Sequence, residues 1–331
     1  MREARLPLVT FYLTERCNSR CVTCDYWRHG RKDASLESVR GTLPDLRALG
    51  TRVALLSGGE PLLNPEWQSI ARCLREAGLS VWLLTAGLAL AKHAAAAAAL
   101  CESITVSLDG TNPATYRAIR GLDAFDKVCE GIRAAVTRGA AVSLRVTLQR
   151  ANYRELAQFV ALAHELGVWQ ISFLAVDVSN SHAFARTDAY SDDLALSGED
   201  LPLLAQSIDA LELENARDFH TGFIAESPAK LRRIHAYFAG LRGAGEFPRV
   251  RCNAPEFSAV VGVDGQVSPC FFIPGPVRTP RGLAAALADA SMTQLRDAIR
   301  AGARAECARC VCSMWREPGT PPEFAPPQRL S

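Results

Sequence analysis

The run Leu8-Val9-Thr10-Phe11-Tyr12-Leu13-Thr14-Glu15-Arg16-Cys17-Asn18-Ser19-Arg20-Cys21-Val22-Thr23-Cys24 decides how this chain is read. Its first six residues are apolar or β-favouring and predict a strand over Leu8 to Leu13. Cys17 follows that strand by four residues and opens Cys17-x-x-x-Cys21-x-x-Cys24, so three thiols share one loop at a strand's carboxyl end. Thiolates are soft ligands, and three so close suit an iron-sulfur cluster or zinc. The group has no fourth cysteine. A four-iron cluster held by three cysteines keeps one iron open to an outside ligand, whereas a zinc site completed by His29 is the closed alternative.

Outward from this loop, strand-like and helix-like stretches alternate to about residue 178. Further strands are predicted at Arg52 to Ser57, Leu79 to Leu84, Ser103 to Leu108, Val142 to Leu148 and Val168 to Val176. Between them, Asn64-Pro65-Glu66-Trp67 starts a helix with Ile70, Leu74 and Ala77 on one face. Asn152-x-x-Glu155 starts another that carries Leu156, Phe159, Val160, Ala163 and Leu166. Six βα units make an α/β fold, either a doubly wound open sheet or a partial (β/α)6 TIM-like barrel, and periodicity alone does not choose. In both, chemistry gathers where strands end and βα loops begin.

The chain has 331 residues, 48% hydrophobic and 22% charged, enough for about two domains with a real core. A formal net charge of +2 excludes a strongly basic nucleic-acid binder. The longest apolar run, Ala94 to Cys101, falls short of the roughly 18 to 20 residues a membrane span needs, and no secretory signal is visible, so a cytoplasmic protein is expected. A reducing compartment opposes disulfides, and eleven cysteines are an odd number. Cys73, Cys101 and Cys129 read as small buried hydrophobes. The others form the loop triplet and a second group, Cys252, Cys270, Cys307, Cys310 and Cys312.

From Asp188 to Asp218 nine acidic residues face one basic residue, with Leu203, Leu204, Ile208 and Leu211 at helical spacing, which reads as a solvated amphipathic helix linking two domains. Another helix is expected from about Glu226 to Leu241. Ser258 to Val263, Asp264-Gly265 and Gln266 to Ser268 read as a β-hairpin on a tight turn. Ser291 to Ala301 reads as a helix, and the proline-rich tail as disorder.

Ser57-Gly58-Gly59-Glu60-Pro61 follows the second strand. With the cysteine loop it resembles the radical SAM superfamily, whose CxxxCxxC loop after the first barrel strand binds a four-iron four-sulfur (4Fe-4S) cluster and whose GGEP element holds the amino group of S-adenosylmethionine. Thr85-Ala86-Gly87 and Ser107-Leu108-Asp109-Gly110 match further elements at the ends of strands three and four. Two positions depart: Thr23 stands where many relatives have an aromatic residue, and Ala86 where asparagine is frequent. The resemblance implies the partial barrel, cofactor contacts from Tyr26, Gly58, Gly59, Glu60, Pro61, Thr85, Ser107 and Arg145, and a pocket shaped by Asp109. Arg145 also reads as a structural barrel arginine.

Cys252-x12-Gly265-x4-Cys270 spans the hairpin and resembles the opening of a SPASM or twitch domain, which implies a second, auxiliary 4Fe-4S cluster. Cys252, Cys270, Cys307 and Cys310 are its first-choice ligands, Cys312 competes with either member of the final pair, and structural zinc is the alternative. The organisation expected is a radical SAM partial barrel over 1–178, a helical linker over 179–250, an auxiliary-cluster domain over 251–316 and a disordered tail over 317–331.

The implied activity is reductive cleavage of S-adenosylmethionine to a 5′-deoxyadenosyl radical that abstracts hydrogen from substrate. The auxiliary cluster would accept the remaining electron, making the enzyme an oxidoreductase. Phe271 stands where sulfatase-maturating relatives carry a carboxylate, so that activity is disfavoured, and Asp177 and His182 are the nearest candidates for a substrate acid or base. Strand one begins by residue 8, with no room before it for a leader-binding domain, so a small biosynthetic metabolite is favoured over a ribosomal peptide. Seven basic and three acidic residues over Met1 to Lys32 suit an acidic flavodoxin or ferredoxin donor. A non-catalytic electron carrier or zinc scaffold is the contrasting reading.

Overall fold

Short, mostly buried apolar runs build six strands: β1 (Leu8–Thr14), β2 (Val53–Gly58), β3 (Ser80–Thr85), β4 (Ser103–Ser107), β5 (Val142–Leu148) and β6 (Gln170–Ala175). Each lies within two residues of its predicted range. The computed structural model describes residues 6–186, 192–278 and 282–317; the expected disordered tail lies outside them from residue 318.

The strands pair in parallel, each with its sequence neighbour, giving the order β6-β5-β4-β3-β2-β1. A doubly wound sheet reverses direction at a switch point. This order never reverses, so the six units wind one way, as in a barrel, and the sheet stays open. The crossover helices are α1 (Leu36–Ala48), α2 (Trp67–Glu76), α3 (Leu90–Leu100), the pair α4 (Pro113–Arg120) and α5 (Phe125–Thr137), and α6 (Leu156–Glu165). Asn64, expected to cap α2, accepts from Glu66 N–H through Oδ1 at 2.7 Å ahead of a helix that opens only at Trp67, and Asn112 caps α4 by accepting from Thr115 N–H.

The acidic stretch does not behave as a solvated linker. It forms α7 (Asp200–Glu214), whose Leu204, Ile208 and Leu211 share the barrel's core with Leu231, Ile234 and Phe238 of α8 (Pro228–Leu241). Its acidic face stays outside while its apolar stripe is buried, as amphipathicity requires. Between the two helices Ile224 bridges to Ile171 and the buried Glu226 accepts from Phe173 N–H at 2.7 Å, so this segment closes the free edge of β6.

The hairpin forms as β7 (Ser258–Val261) and β8 (Gln266–Ser268), with Gly265 at φ +77° in the turn and β9 (Val277–Arg278) beyond. Expected as the start of a separate unit, it instead continues the same sheet: β7 pairs in parallel with β1, Leu8 opposite Ser258. Both strands are apolar, and their pairing removes the other open edge. After it, α9 (Ala290–Arg300) leads to the last cysteines. Among the described residues no helix is long and apolar enough to cross a membrane.

Candidate active site

Four sets of contacts shape the loop after β1. The Thr14 hydroxyl donates to Asp33 Oδ1 at 2.5 Å, and the Arg16 guanidinium donates to Asp33 Oδ2 at 2.6 Å and the Leu63 carbonyl at 2.7 Å. From β2, Gly59 N–H donates to the Thr14 carbonyl and Glu60 N–H to the Arg16 carbonyl, both at 2.8 Å. A Cβ on Gly59 would sit 2.2 Å from the Arg16 carbonyl oxygen, and Gly58 holds φ +118°. The two glycines therefore let this loop lie against the cysteine loop. From α4, the Arg120 and Ile119 carbonyls accept from Arg20 N–H and Val22 N–H at 3.1 and 3.0 Å. From the loop after β6, the Phe184 carbonyl accepts from Asp25 N–H at 2.8 Å, and Arg186 donates to the Val22 carbonyl at 2.8 Å.

Cys17, Cys21 and Cys24 are half-buried free thiols on this frame. Burial pushes Cys17 up to about 11 and Cys24 up to about 12, with Cys21 raising both and Cys17 also raising Cys24. Asn18 Oδ1 and Ser19 Oγ in the same loop are buried without a hydrogen-bond partner. Among the described residues no three His, Cys, Asp or Glu side chains gather at the spacing of a single metal ion. The side chain of His29 lies outside what the structure describes. Three adjoining thiols beside orphaned polar atoms form a donor set that fits an iron-sulfur cluster.

Glu60 is fully buried, and burial raises its pKa. Its carboxylate accepts from the Thr85 hydroxyl at 2.8 and 2.9 Å, from Ala86 N–H at 2.7 Å and from Leu62 N–H at 3.1 Å. It thus clasps the end of β2 to the end of β3, and Pro61 starts the short turn that it caps. Ser107 and Arg145 stand in register on β4 and β5, both half-buried on one face. Arg145 Nε is buried without a hydrogen-bond partner.

Asp109, almost fully buried, accepts from Thr147 N–H at 2.7 Å and pairs with Arg120 at 2.8 Å. Arg120 Nη1 in turn donates to Cys21 Sγ at 3.5 Å. The sequence reading missed Arg120. Its signal was its place: α4 buries Tyr116, Ile119 and Arg120 on one face, so an arginine occupies the apolar stripe.

A cavity of about 150 Å³ opens at the mouth of the sheet, lined by Tyr12, Tyr26, His182, Cys270 and Phe271 among others. The Tyr12 ring lies 6.1 Å from Tyr26, edge on, and 6.4 Å from Phe271. Burial pulls the His182 pKa down. Asp177 is turned inward: its Oδ1 accepts from Ser179 N–H, the Ser179 hydroxyl and Asn180 N–H at 2.7, 3.1 and 2.8 Å, an Asx turn that shapes the loop.

Cys252, Cys270, Cys307, Cys310 and Cys312 line one apolar cavity with Phe272, Ile273 and Ile299. Asn253 closes it by donating to the Met314 and Arg316 carbonyls at 2.9 and 2.7 Å, which draws the final cysteines to Cys252. Asn180 Nδ2 donates to the Phe272 carbonyl at 2.7 Å and ties this unit to the loop after β6. Burial pushes Cys270 up to about 11 and raises Cys307, Cys310 and Cys312. Cys312 differs from the others in facing the charges of Arg145 and Lys230.

The sequence model of the Radical SAM superfamily matches residues 11–163. A probable GTP 3′,8-cyclase of Saccharolobus islandicus strain Y.N.15.51 is 31% identical over 270 residues, 78% of this chain and 81% of that one. The chain belongs to the radical SAM superfamily, and with membership come a 4Fe-4S cluster and S-adenosylmethionine. Two Methanosarcina barkeri proteins are also similar: an Fe-coproporphyrin III synthase, 28% identical over 66% of this chain, and an AdoMet-dependent heme synthase, 31% identical over 48%. This chain spans about half their length, 54% and 48%. In fold it resembles Streptococcus suis SuiB bound to S-adenosylmethionine, with TM-score 0.66 and 14% identity over 88% of this chain and 68% of SuiB. It also resembles anSMEcpe with bound AdoMet, with TM-score 0.64 and 16% identity over 87% and 83%.

Proposed function

We propose that this chain is a radical SAM oxidoreductase in which Cys17, Cys21 and Cys24 hold the S-adenosylmethionine-binding 4Fe-4S cluster. In this reading Cys252, Cys270, Cys307 and Cys310 hold an auxiliary 4Fe-4S cluster, with Cys312 as the competing ligand. The observation that carries it is one cavity shared by a residue next to the first cysteine loop and by residues of the second thiol group. Tyr26, two residues after Cys24, lines that cavity together with Cys270 and Phe271 of the second group. Bound together, the first cluster and S-adenosylmethionine supply one-electron cleavage of a sulfonium bond and hydrogen abstraction. The chain's own residues would hold and shield the reactants. Glu60 fixes the loop after β2, Ser107 and Arg145 offer a hydroxyl and a cation for the cofactor's ribose and carboxylate, and Tyr12, Tyr26 and Phe271 wall the cavity against water. His182 is the candidate base on that wall, and Asp177 serves it by shaping the loop.

A small biosynthetic metabolite as substrate is supported by relatives whose names are those of a GTP cyclase and a coproporphyrin synthase. They match in sequence, whereas SuiB bound to its precursor peptide SuiA and anSMEcpe with bound peptides match in fold alone. A net oxidation is supported by the second thiol group. A groove lined by Arg20, Trp27, Arg28 and Arg31 reaches Cys17 and suits an acidic flavodoxin or ferredoxin donor.

Anaerobic reconstitution tests the reading. The protein should hold about eight irons per chain, as two four-iron clusters require, and release 5′-deoxyadenosine when reduced. Cys17→Ala should abolish that release, while Cys252→Ala should lower iron and leave some release. Metal without cofactor cleavage would make the chain a carrier or scaffold.

A further inference from the structure

We propose that Arg120 is a positioning residue for the amino-terminal cluster: it fixes Cys21 and makes that cluster easier to reduce. The proposal rests on Cys21 being a cluster ligand, as argued above.

Three observations converge on it. First, Arg120 sits at the last turn of α4 with 9% of its surface exposed, and its guanidinium reaches Cys21 Sγ through Nη1 and Asp109 Oδ2 through Nη2, at 3.5 and 2.8 Å. Second, the backbone of the same turn holds the cysteine loop: the Ile119 and Arg120 carbonyls accept from Val22 and Arg20, on either side of Cys21. Gly121 completes the seat at φ +70°, where a Cβ would lie 2.3 Å from the Arg20 carbonyl oxygen. Third, Asp109 is itself fixed by Thr147 N–H at 2.7 Å, so the guanidinium has one orientation. A buried arginine placed only for stability needs its carboxylate; it does not need to share its fork with a thiol.

The direction of the effect follows from charge. Reduction adds one negative charge to a cluster, and a cation hydrogen-bonded to a ligand sulfur stabilises the reduced form more than the oxidised one, so the potential rises. Asp109 opposes this by partly cancelling the cation. Removing Arg120 and removing the charge of Asp109 should therefore shift the potential in opposite directions, a pattern that loss of packing does not produce.

The test uses the full chain, reconstituted anaerobically, with the S-adenosylmethionine-sensitive electron paramagnetic resonance signal followed against applied potential. Relative to wild type, Arg120→Met should lower the reduced-to-oxidised ratio at a fixed potential at least tenfold, which is about 59 mV for one electron. Arg120→Lys should recover part of that loss, and Asp109→Asn should raise the ratio. If Arg120→Met does not keep its iron, Asp109→Asn is read alone: an upward shift supports the proposal, and no shift, a downward shift or loss of iron overturns it. A wild type without any S-adenosylmethionine-sensitive cluster would remove the functional reading itself. A wild type with that cluster whose potential neither variant moves would remove only the role of Arg120.

Discussion

Glu60 shows how a motif residue can be found from sequence and understood only from structure. Its place behind two glycines at a strand end marked it, but besides Leu62 N–H its donors, Thr85 and Ala86, come from the end of β3, 25 and 26 residues onward. Glu60→Gln keeps the shape and replaces an acceptor oxygen with a donor that faces other donors. It should cost about 1 to 3 kcal/mol in a denaturant titration, the penalty for a buried group left without its partner, and should weaken S-adenosylmethionine binding as the loop loosens. The thiols give a pH prediction. With Cys17 at about 11 and Cys24 at about 12, both are protonated at neutral pH, and ligation must release those protons. Iron uptake by the metal-free protein should therefore become more favourable as pH rises from about 6.5 to 8.5; a flat or falling dependence, measured as iron bound at equilibrium, would contradict it. The cysteines were legible because soft ligands at short spacing are rare. Arg120 was not, because its partners Asp109 and Cys21 lie 11 and 99 residues away, and no local pattern joins an arginine to a thiol at that range.

At the scale of elements, the strands could be read because each is a short run of apolar and β-branched residues set between helix-periodic stretches. The role of α4 could not. Its sequence marks an amphipathic helix with an asparagine cap, but the use of its last two carbonyls to hold the cysteine loop is a tertiary fact. Gly121→Ala tests that use. The new methyl meets the Arg20 carbonyl oxygen in a backbone region L residues avoid, so the variant should lose at least about 1 kcal/mol of stability and bind less iron at the first site. Gly139→Ala serves as a control: it has a similar φ, +83°, with open space around it, and should pay the backbone cost while keeping its iron. Equal iron loss in both would show that the α4 seat is not what holds the loop.

Across the whole molecule, the reading that placed a linker and a separate hairpin unit after residue 178 meets a chain that continues one sheet. Periodicity reports which face of a strand is buried but not which distant strand lies beside it, and β1 and β7 are some 250 residues apart. That pairing and the Asn180 bond to Phe272 bring the five late cysteines up to the loops of the first barrel strands. Asn180→Ala should loosen this tie by about 1 kcal/mol, seen as faster amide exchange over residues 270–273 with the loop at Cys17 unchanged. The account as a whole depends on an iron at the first site that no side chain ligates. The most direct measurement is the electron paramagnetic resonance spectrum of the reduced, reconstituted protein before and after addition of S-adenosylmethionine. The account predicts a cluster signal that changes on addition and is lost in Cys17→Ala; a signal that S-adenosylmethionine leaves untouched would contradict it.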